Sequence, residues 1–544
     1  MKIYSMKKII NYIIVLGIIG SGLILGSCTK LEDKNYSGII ASEFNPTSTD
    51  IGALLAPAYA SWRGVMWDTD WSGYWMINEI TSDEYVAAAK PYGYVDGGVH
   101  RQMHERTWTS QNYYVTNAWK SPWIGISNCN RLMFQIESGV IPPNDAMIAE
   151  LKVLRASFYY VLCDWFGNIP IVTKFDVPEG FLPEQSSRAE VYKFIVNEIT
   201  SALPLLSEDR SAKTYGRFNS KWAANALLAK VYLNAKEYSG TAEWAKCLQA
   251  CEAIIASGKF SLDAVQKNVF SAKNENSPEI IWAIPYDMLY TYNAMFALTI
   301  SKENRFTFNM INNPSGGATA VPQYISTFNT NDLRYTKGWL YGQQYSSTGE
   351  LLLCASGTLK GKPMFIINES PGIDSNQVVH GYRLFKWEIP LASDRLTMNN
   401  DYPFFRYADV LMMKAECLLR TGQADAAATI VSQIRKRSFP NNPELVAVTG
   451  AKLLGGSVYA YGLKNHFKTT FEGGADIQYG GFLDELGWEF AAEGRRRQDM
   501  IRFGVFHTKS WLSNTANNDL RKNIFPIPLE VLNTNPKLKQ NPGY

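Results

Sequence analysis

Apolar side chains recur at helical spacing in several separate stretches of the chain. Leu54, Leu55, Ala58, Tyr59 and Trp62 form one stripe, and Leu151, Leu154, Phe158 and Leu162 form another. Residues three and four apart share a face of an α-helix, so each stripe predicts a helix that buries that face. Phe194, Ile195 and Ile199 continue the series, followed by Ala223, Leu227 and Val231 with the stem of Lys230 at the edge. A further stripe, Leu411, Ala415, Leu418 and Leu419, is answered after Thr421-Gly422 by Ala427, Ile430, Val431 and Ile434. Helix, short glycine turn, helix, with alanine at the crossing points, is how tetratricopeptide-like pairs stack, although the full repeat consensus is missing. Between residues 261 and 395 the pattern changes to short apolar runs broken by Asn, Gly, Ser, Pro and Tyr. The expected fold is mainly α: a tetratricopeptide-like helical repeat scaffold in one domain over 51–544, carrying a large loop-rich insertion with short strands at 261–395.

The first 27 residues read differently. Lys2, Lys7 and Lys8 precede an apolar run from Ile9 to Leu25, and Leu25-Gly26-Ser27-Cys28 follows. This is the form of a lipoprotein signal peptide at 1–27, with Cys28 as the acylated (palmitate-bearing) N-terminus and 28–50 as a tether. An uncleaved anchor is the competing reading, since the run is nearly long enough to span a bilayer. Removing the segment takes three lysines and no acid, leaving 50 basic against 50 acidic side chains. A neutral chain without a basic stripe lacks the electrostatic drive for nucleic-acid binding. The other six cysteines (129, 163, 247, 251, 354, 417) show no CxxC or regular spacing and read as buried thiols; Cys247 and Cys251 have no nearby histidine to complete a metal site.

Three further stretches stand out, in order along the chain. Leu151 to Tyr160 (LKVLRASFYY) runs on to Asp164-Trp165-Phe166-Gly167-Asn168-Ile169-Pro170. Asp401 to Val410 leads into Ala415-Glu416-Cys417-Leu418. Glu489, Phe490 and Glu493 to Gly504 (EGRRRQDMIRFG) precede Phe525-Pro526-Ile527-Pro528 and the ending Asn535 to Tyr544 (NPKLKQNPGY). Together they resemble the SusD/RagB family: the first is similar to a helix and turn of that family, and the second to an element in which the family usually has Glu at the place of Asp409. The resemblance implies a lipid-anchored protein on the outer face of a bacterial outer membrane. Such a protein binds oligosaccharide without catalysis and works beside a SusC-like TonB-dependent transporter. The motifs themselves read as architectural: Glu493 and Arg497, four apart, fit a helix pair, and the proline-rich ending suits a surface strap.

Candidate ligand chemistry is aromatic. Trp67, Trp71 and Tyr74 stand among Asp, Ser and Gly, where a turn could hold flat rings in solvent to stack on sugar faces, whereas Trp62 continues a helical stripe and reads as core. The family resemblance points further to Tyr92, Tyr94, Tyr286, Tyr290 and Trp339, with Tyr292, Tyr341 and Tyr345 in the same stretches. No cofactor is expected. Asp68 to Glu79 does fit the bare spacing of a calcium loop, but Trp75 and Met76 occupy positions where that loop has other residue types.

Catalytic patterns fail in detail. Arg101 follows His100 where a zinc protease has Glu, and the run from Gly357 to Lys362 miscounts as a phosphate loop and meets Pro363. Asp83-Glu84 and Asp484-Glu485 could serve a glycosidase only at the right separation, and adjacency in sequence does not supply it. The expectation is therefore a glycan-binding protein and not an enzyme. A peptide or other oligomer is the alternative ligand; a surface glycoside hydrolase and a helical scaffold with no small-molecule site are the competing classes.

Overall fold

Each apolar stripe closes on its neighbour in the chain. The structure, a computed structural model, describes residues 48–66, 72–91, 96–287, 299–392 and 398–544. The helices that build the array and its end are α1 (Ser48–Met66), α2 (Tyr74–Ile80), α3 (Tyr113–Glu137), α4 (Asp145–Phe166), α5 (Arg188–Ala202), α6 (Lys221–Leu233), α7 (Trp244–Ala256), α8 (Tyr407–Arg420), α9 (Ala424–Arg435), α10 (Gly480–Phe490) and α11 (Arg496–Arg502), with shorter helices between them. Their starts are written in the sequence. Asn112 and Asn144 accept from backbone N–H groups at the heads of α3 and α4, and Ser187 with Glu190 forms a capping box on α5.

α1 packs on α3, α3 on α4, α4 on α5, α6 on α7 and α8 on α9, which is the expected tetratricopeptide-like stacking. α3 carries Asn, Ser and Pro among its apolar positions, which blurs its stripe. It crosses α4 at Gly125, where a Cβ would run into the Phe158 ring. α7 also packs on α8, although the chain between them runs from 257 to 406. The lobe therefore leaves the array and returns to the same place. Its strands are short: β1 (Tyr85–Ala87) pairs β3 (Ala318–Ala320), β2 (Ile280–Ile284) pairs β6 (Tyr402–Arg406), and β4 (Trp339–Leu340) pairs β5 (Arg383–Leu384), all antiparallel. β2 and β6 are buried throughout. Trp282 on β2 stacks with Phe218 at 4.4 Å and meets Trp62 of α1 edge-on at 5.3 Å, so the lobe's root and the first helix share one core.

Charge joins what the apolar core cannot. Arg406, at the end of β6, uses all five of its donors: Nη1 donates to Glu279 at 2.7 Å and Glu489 at 2.8 Å, Nε and Nη2 donate to Glu493 at 2.8 and 2.7 Å, and Nη2 also donates to the Glu489 carbonyl at 2.9 Å. Arg437, past α9, bonds Glu279 and Glu489 as well; from the lobe come Arg334, held by Asp332 and Glu489, and Lys386, held by Glu493. Arg334, Lys386, Arg406 and Arg437 thus face Asp332, Glu279, Glu489 and Glu493, every one of these side chains less than a tenth exposed. Burial alone would raise the Glu489 carboxyl, but Arg437, Arg406, Arg334 and Lys386 hold it well below its ordinary value.

This corrects the reading of Glu493 and Arg497 as a helix pair. Glu493 lies outside α11, before Gly494 in a left-handed turn (φ 71°), and serves Arg406 and Lys386, while Arg497 turns to Asp164 and Asn523. The proline-rich ending is the expected strap. Phe525 N donates to Trp165 O at 2.6 Å, and Asn541 Nδ2 donates to the carbonyls of Phe166 and Phe525. All six cysteines after Cys28 are buried free thiols, as the sequence suggested. Among the described residues no helix is long and apolar enough to cross a membrane.

Removing Arg406 leaves three buried carboxylates short of their shared cation. R406M in residues 29–544 should lose about 3–5 kcal/mol of stability in urea unfolding. Acid should act on the same hub: Glu489's contribution is complete above the ordinary carboxylate value of 4.5 and is lost as pH falls through its lower folded value. A variant that unfolds at the wild-type midpoint would remove the hub from the list of structural determinants.

Candidate ligand-binding face

Strand alternation inside the lobe turns apolar side chains outward. Gly342–Gln343 pairs with Phe365–Ile366, and Tyr345 bridges Leu351 while Leu353 bridges Pro363. Backbone N–H groups of Gln344, Leu352 and Met364 donate in a ring to the carbonyls of Met364, Gln344 and Leu352. Those three side chains turn inward and are buried, and the alternate positions must then face out. Tyr345, Leu351, Leu353 and Phe365 are each about half exposed (50%, 47%, 49% and 54%), too large a cluster to be the scatter of a monomer's surface. Phe306, 52% exposed, joins them where its carbonyl accepts from Ser347 N.

Beside this patch stands a tyrosine stack. Tyr341 lies on Tyr382 with centroids 5.0 Å apart and planes within 16°, and Tyr335 leans on Tyr341 at 5.4 Å. The Tyr335 and Tyr382 hydroxyls are 3.3 Å apart. Burial pushes the Tyr382 phenol up, so it stays protonated and able to donate. Tyr341, 37% exposed, presents ring to solvent from a position its neighbours have fixed. Tyr341 and Tyr345 were flagged by the sequence. Tyr335, Tyr382 and Phe365 were not, and the signal that could have found Phe365 is the in-out alternation of Met364, Phe365 and Ile366.

Of the residues singled out for ligand, Trp67, Trp71, Tyr92, Tyr94 and Tyr290 lie outside the described residues, as does Cys28. The residues just before Tyr92 do touch the lobe. Pro91 abuts Gly357, and Lys90 Nζ donates to Gly317 O. Tyr74 is a correction: it is 7% exposed on α2, packed between Trp165 at 5.5 Å and Phe404 at 5.4 Å, with no face left for a sugar. Trp339 is a second: it is 2% exposed, ringed by Tyr85, Tyr324 and Phe328, because β4 turns it into the lobe's own core. Tyr286 is half-buried, its N–H donating to Asp401 Oδ1 at 2.8 Å.

The remaining candidates are spent on packing. Asp83 is bound by Arg496 at 2.7 Å and by the Tyr461 hydroxyl at 2.6 Å; Asp484 accepts from Ser457 and Val458 N, and Glu485 takes Arg435. His100 meets the Tyr114 hydroxyl, and burial holds His104 neutral, down at about 3. Glu79, the twelfth position of the calcium spacing, faces inward: Oε1 accepts from Gly494 N at 2.6 Å, and burial raises its carboxyl to about 8, while burial and the nearby Glu79 raise Glu84 as well. Asp68 and Asp70 lie outside the described residues.

Comparison with known proteins matches two long stretches of the chain. Residues 278–544 match the model described as "SusD family", and residues 73–233 match the one described as "Starch-binding associating with outer membrane". The "Starch-binding protein SusD" of Bacteroides thetaiotaomicron is 26% identical over 439 residues, covering 73% of this chain and 72% of that protein. "SusD-like protein P38" of Formosa agariphila is 24% identical over 579 aligned residues, covering 99% of this chain and all of that one. Among solved structures, the "Surface glycan-binding protein A from Bacteroides thetaiotaomicron in complex with laminarihexaose" superposes with a TM-score of 0.69 at 18% identity, over 91% of this chain and all of that one. That likeness is one of fold.

The Glu79–Glu84 pair has a measurable signature. Between the unfolded value of 4.5 and the raised folded value the native state binds more protons than the unfolded chain, so stability falls as pH rises across that window. E79Q should flatten the slope of thermal stability between pH 5 and 8. An unchanged slope would mean that the pair ionises normally.

Proposed function

We propose that this chain, which belongs to the SusD family, is a non-catalytic binding protein that holds an oligosaccharide at the cell surface and passes it to a TonB-dependent outer-membrane transporter. Cys28 carries the lipid that tethers it to the outer membrane. The observation that carries this reading is the family match over two stretches of the chain, 73–233 and 278–544, the second taking in most of the lobe. A surface of fixed, partly exposed rings supports it. Sugars present apolar C–H faces and polar rims, and rings such as Tyr341, Tyr345 and Phe365 stack on the former while hydroxyls such as Tyr335 and Tyr382 bond the latter. We place Trp67, Trp71, Tyr92, Tyr94 and Tyr290 in the same role. Commitment of Asp83, Asp484 and Glu485 to internal bonds speaks against a hydrolase built on those acids.

Calorimetric titration of residues 29–544 with malto-oligosaccharides, laminari-oligosaccharides and mixed peptides tests the ligand. Saturable binding of a glucan without release of reducing ends is expected, and Y341A and Y345A should each weaken it by roughly 2- to 10-fold without shifting the unfolding midpoint. Binding of peptides alone, or of nothing, sinks the glycan reading. Unchanged affinity in both variants would move the site off the lobe face.

Localisation has its own test. C28A in the full chain should lose labelling by palmitate and leave the membrane fraction; retention in that fraction without label would favour the uncleaved apolar anchor.

A further inference from the structure

A cavity of about 720 Å³ opens between the lobe and the scaffold, within the range of small-molecule sites. Leu333, Trp339 and Leu384 of the lobe form one wall, Phe439 and Trp488 of the scaffold the other, and Val265 from the segment after α7 joins them. The face of Tyr341 and Tyr345 is not part of it. The charged lining is one-sided, with Lys267, Arg334, Lys337, Lys386, Lys436 and Arg437 against Asp263 alone. Arg334, Lys386 and Arg437 are matched by the carboxylates of the hub. Asp263 is taken up by Val265 N, Asn268 and Ser277. The Lys267 ammonium donates to the Phe385 carbonyl at 3.1 Å and lies 3.5 Å over the Phe385 ring. Lys337 and Lys436 are exposed at the rim.

Three buried donors on this lining lack an acceptor: the Trp339 indole N–H, the Arg437 Nε–H and the Ser438 hydroxyl. Ser438 is 1% exposed and its carbonyl accepts from Leu333 N, so it stands where lobe and scaffold meet. A buried donor left unpaired costs about 1–3 kcal/mol, and native structures keep few of them. Three such donors on residues lining one cavity, under an excess of positive charge, call for an acceptor that brings negative charge.

We propose that this cavity is a second ligand site, separate from the aromatic face, which takes a small organic carboxylate with an apolar or ring-shaped body. The carboxylate accepts from Ser438 and the neighbouring unpaired donors within the field of Lys267. The body lies on Leu333, Leu384 and Phe439. An acidic sugar unit and a free apolar acid share this chemistry, and the site does not need the glycan reading of the aromatic face.

The test titrates residues 29–544 with 4-phenylbutyrate, with a glucuronate disaccharide and with neutral 4-phenylbutanol, read by calorimetry and tryptophan fluorescence. At least one acid should saturate at millimolar concentration or below while the alcohol binds at least roughly 10-fold more weakly, the worth of a charge-assisted hydrogen bond. S438A and K267M should each weaken the acid by roughly 10-fold. S438A, which removes a donor unpaired in the free protein, should leave the melting temperature in place. Binding by the disaccharide alone identifies an acidic-glycan site and binding by phenylbutyrate alone a non-sugar one; either supports the proposal. Failure of both acids, equal binding of the alcohol, or acid binding untouched by S438A and K267M overturns it and leaves the cavity to water.

Discussion

Arg406 is the side chain on which the rest of the molecule depends. Taking a guanidinium out of water costs several kcal/mol, and it is recovered only when geometry is excellent and every donor is used. Here all five donors are used, on Glu279 at the root of the lobe, on Glu489 at the end of α10 and on Glu493 in the turn before α11. Glu279 comes 127 residues before Arg406, and Glu489 and Glu493 follow it by 83 and 87, so the hub forms only when lobe and scaffold have found each other. Apolar packing alone would tolerate some sliding of one on the other; a balanced set of four cations and four carboxylates does not.

That constraint is what lets the lobe be irregular. Its strands are two to five residues long and could not stand alone. Anchored at its root by the hub and by Trp282 in the scaffold's core, it can spend its remaining chain on loops and outward-facing rings. Binding residues on loops held by a rigid frame is a general arrangement, and it places the exposed face and the cavity on opposite consequences of one junction. The face is where the lobe turns away from the scaffold; the cavity is where the two fail to close.

The helical array was legible because its signal is local. Leu54 to Trp62, Leu151 to Leu162 and Leu411 to Ile434 each carry the 3.6-residue period, and each became a helix. α3 escaped because Asn117, Pro122 and Asn128 interrupt its stripe and because its burial comes from both α1 and α4. The hub was not legible at all: Glu493 and Arg497 satisfy a helix rule in sequence, and only the fold reveals that Glu493 belongs to Arg406. Non-local partners leave no period to read.

Aromatic residues divide by a similar logic. Local polarity around Tyr74 and the family resemblance at Trp339 pointed to ligand contact, yet both are core, since a short helix and a short strand turn them inward regardless of their neighbours in sequence. Tyr341 and Tyr345, from the same stretch as Trp339, point out. Residues two and six positions along a pleated chain from a buried one should share its face, so the strand itself predicts burial for them. Gly342 at φ 68° breaks that expectation for Tyr345: the left-handed residue resets the alternation after β4, and Tyr345 emerges on the solvent side. Tyr341 comes before that glycine, and it is the stack with Tyr335 and Tyr382 that holds its ring, 37% exposed, at the surface. A turn residue and a side-chain stack thus part the buried Trp339 from the outward rings within seven residues of chain, from Trp339 to Tyr345.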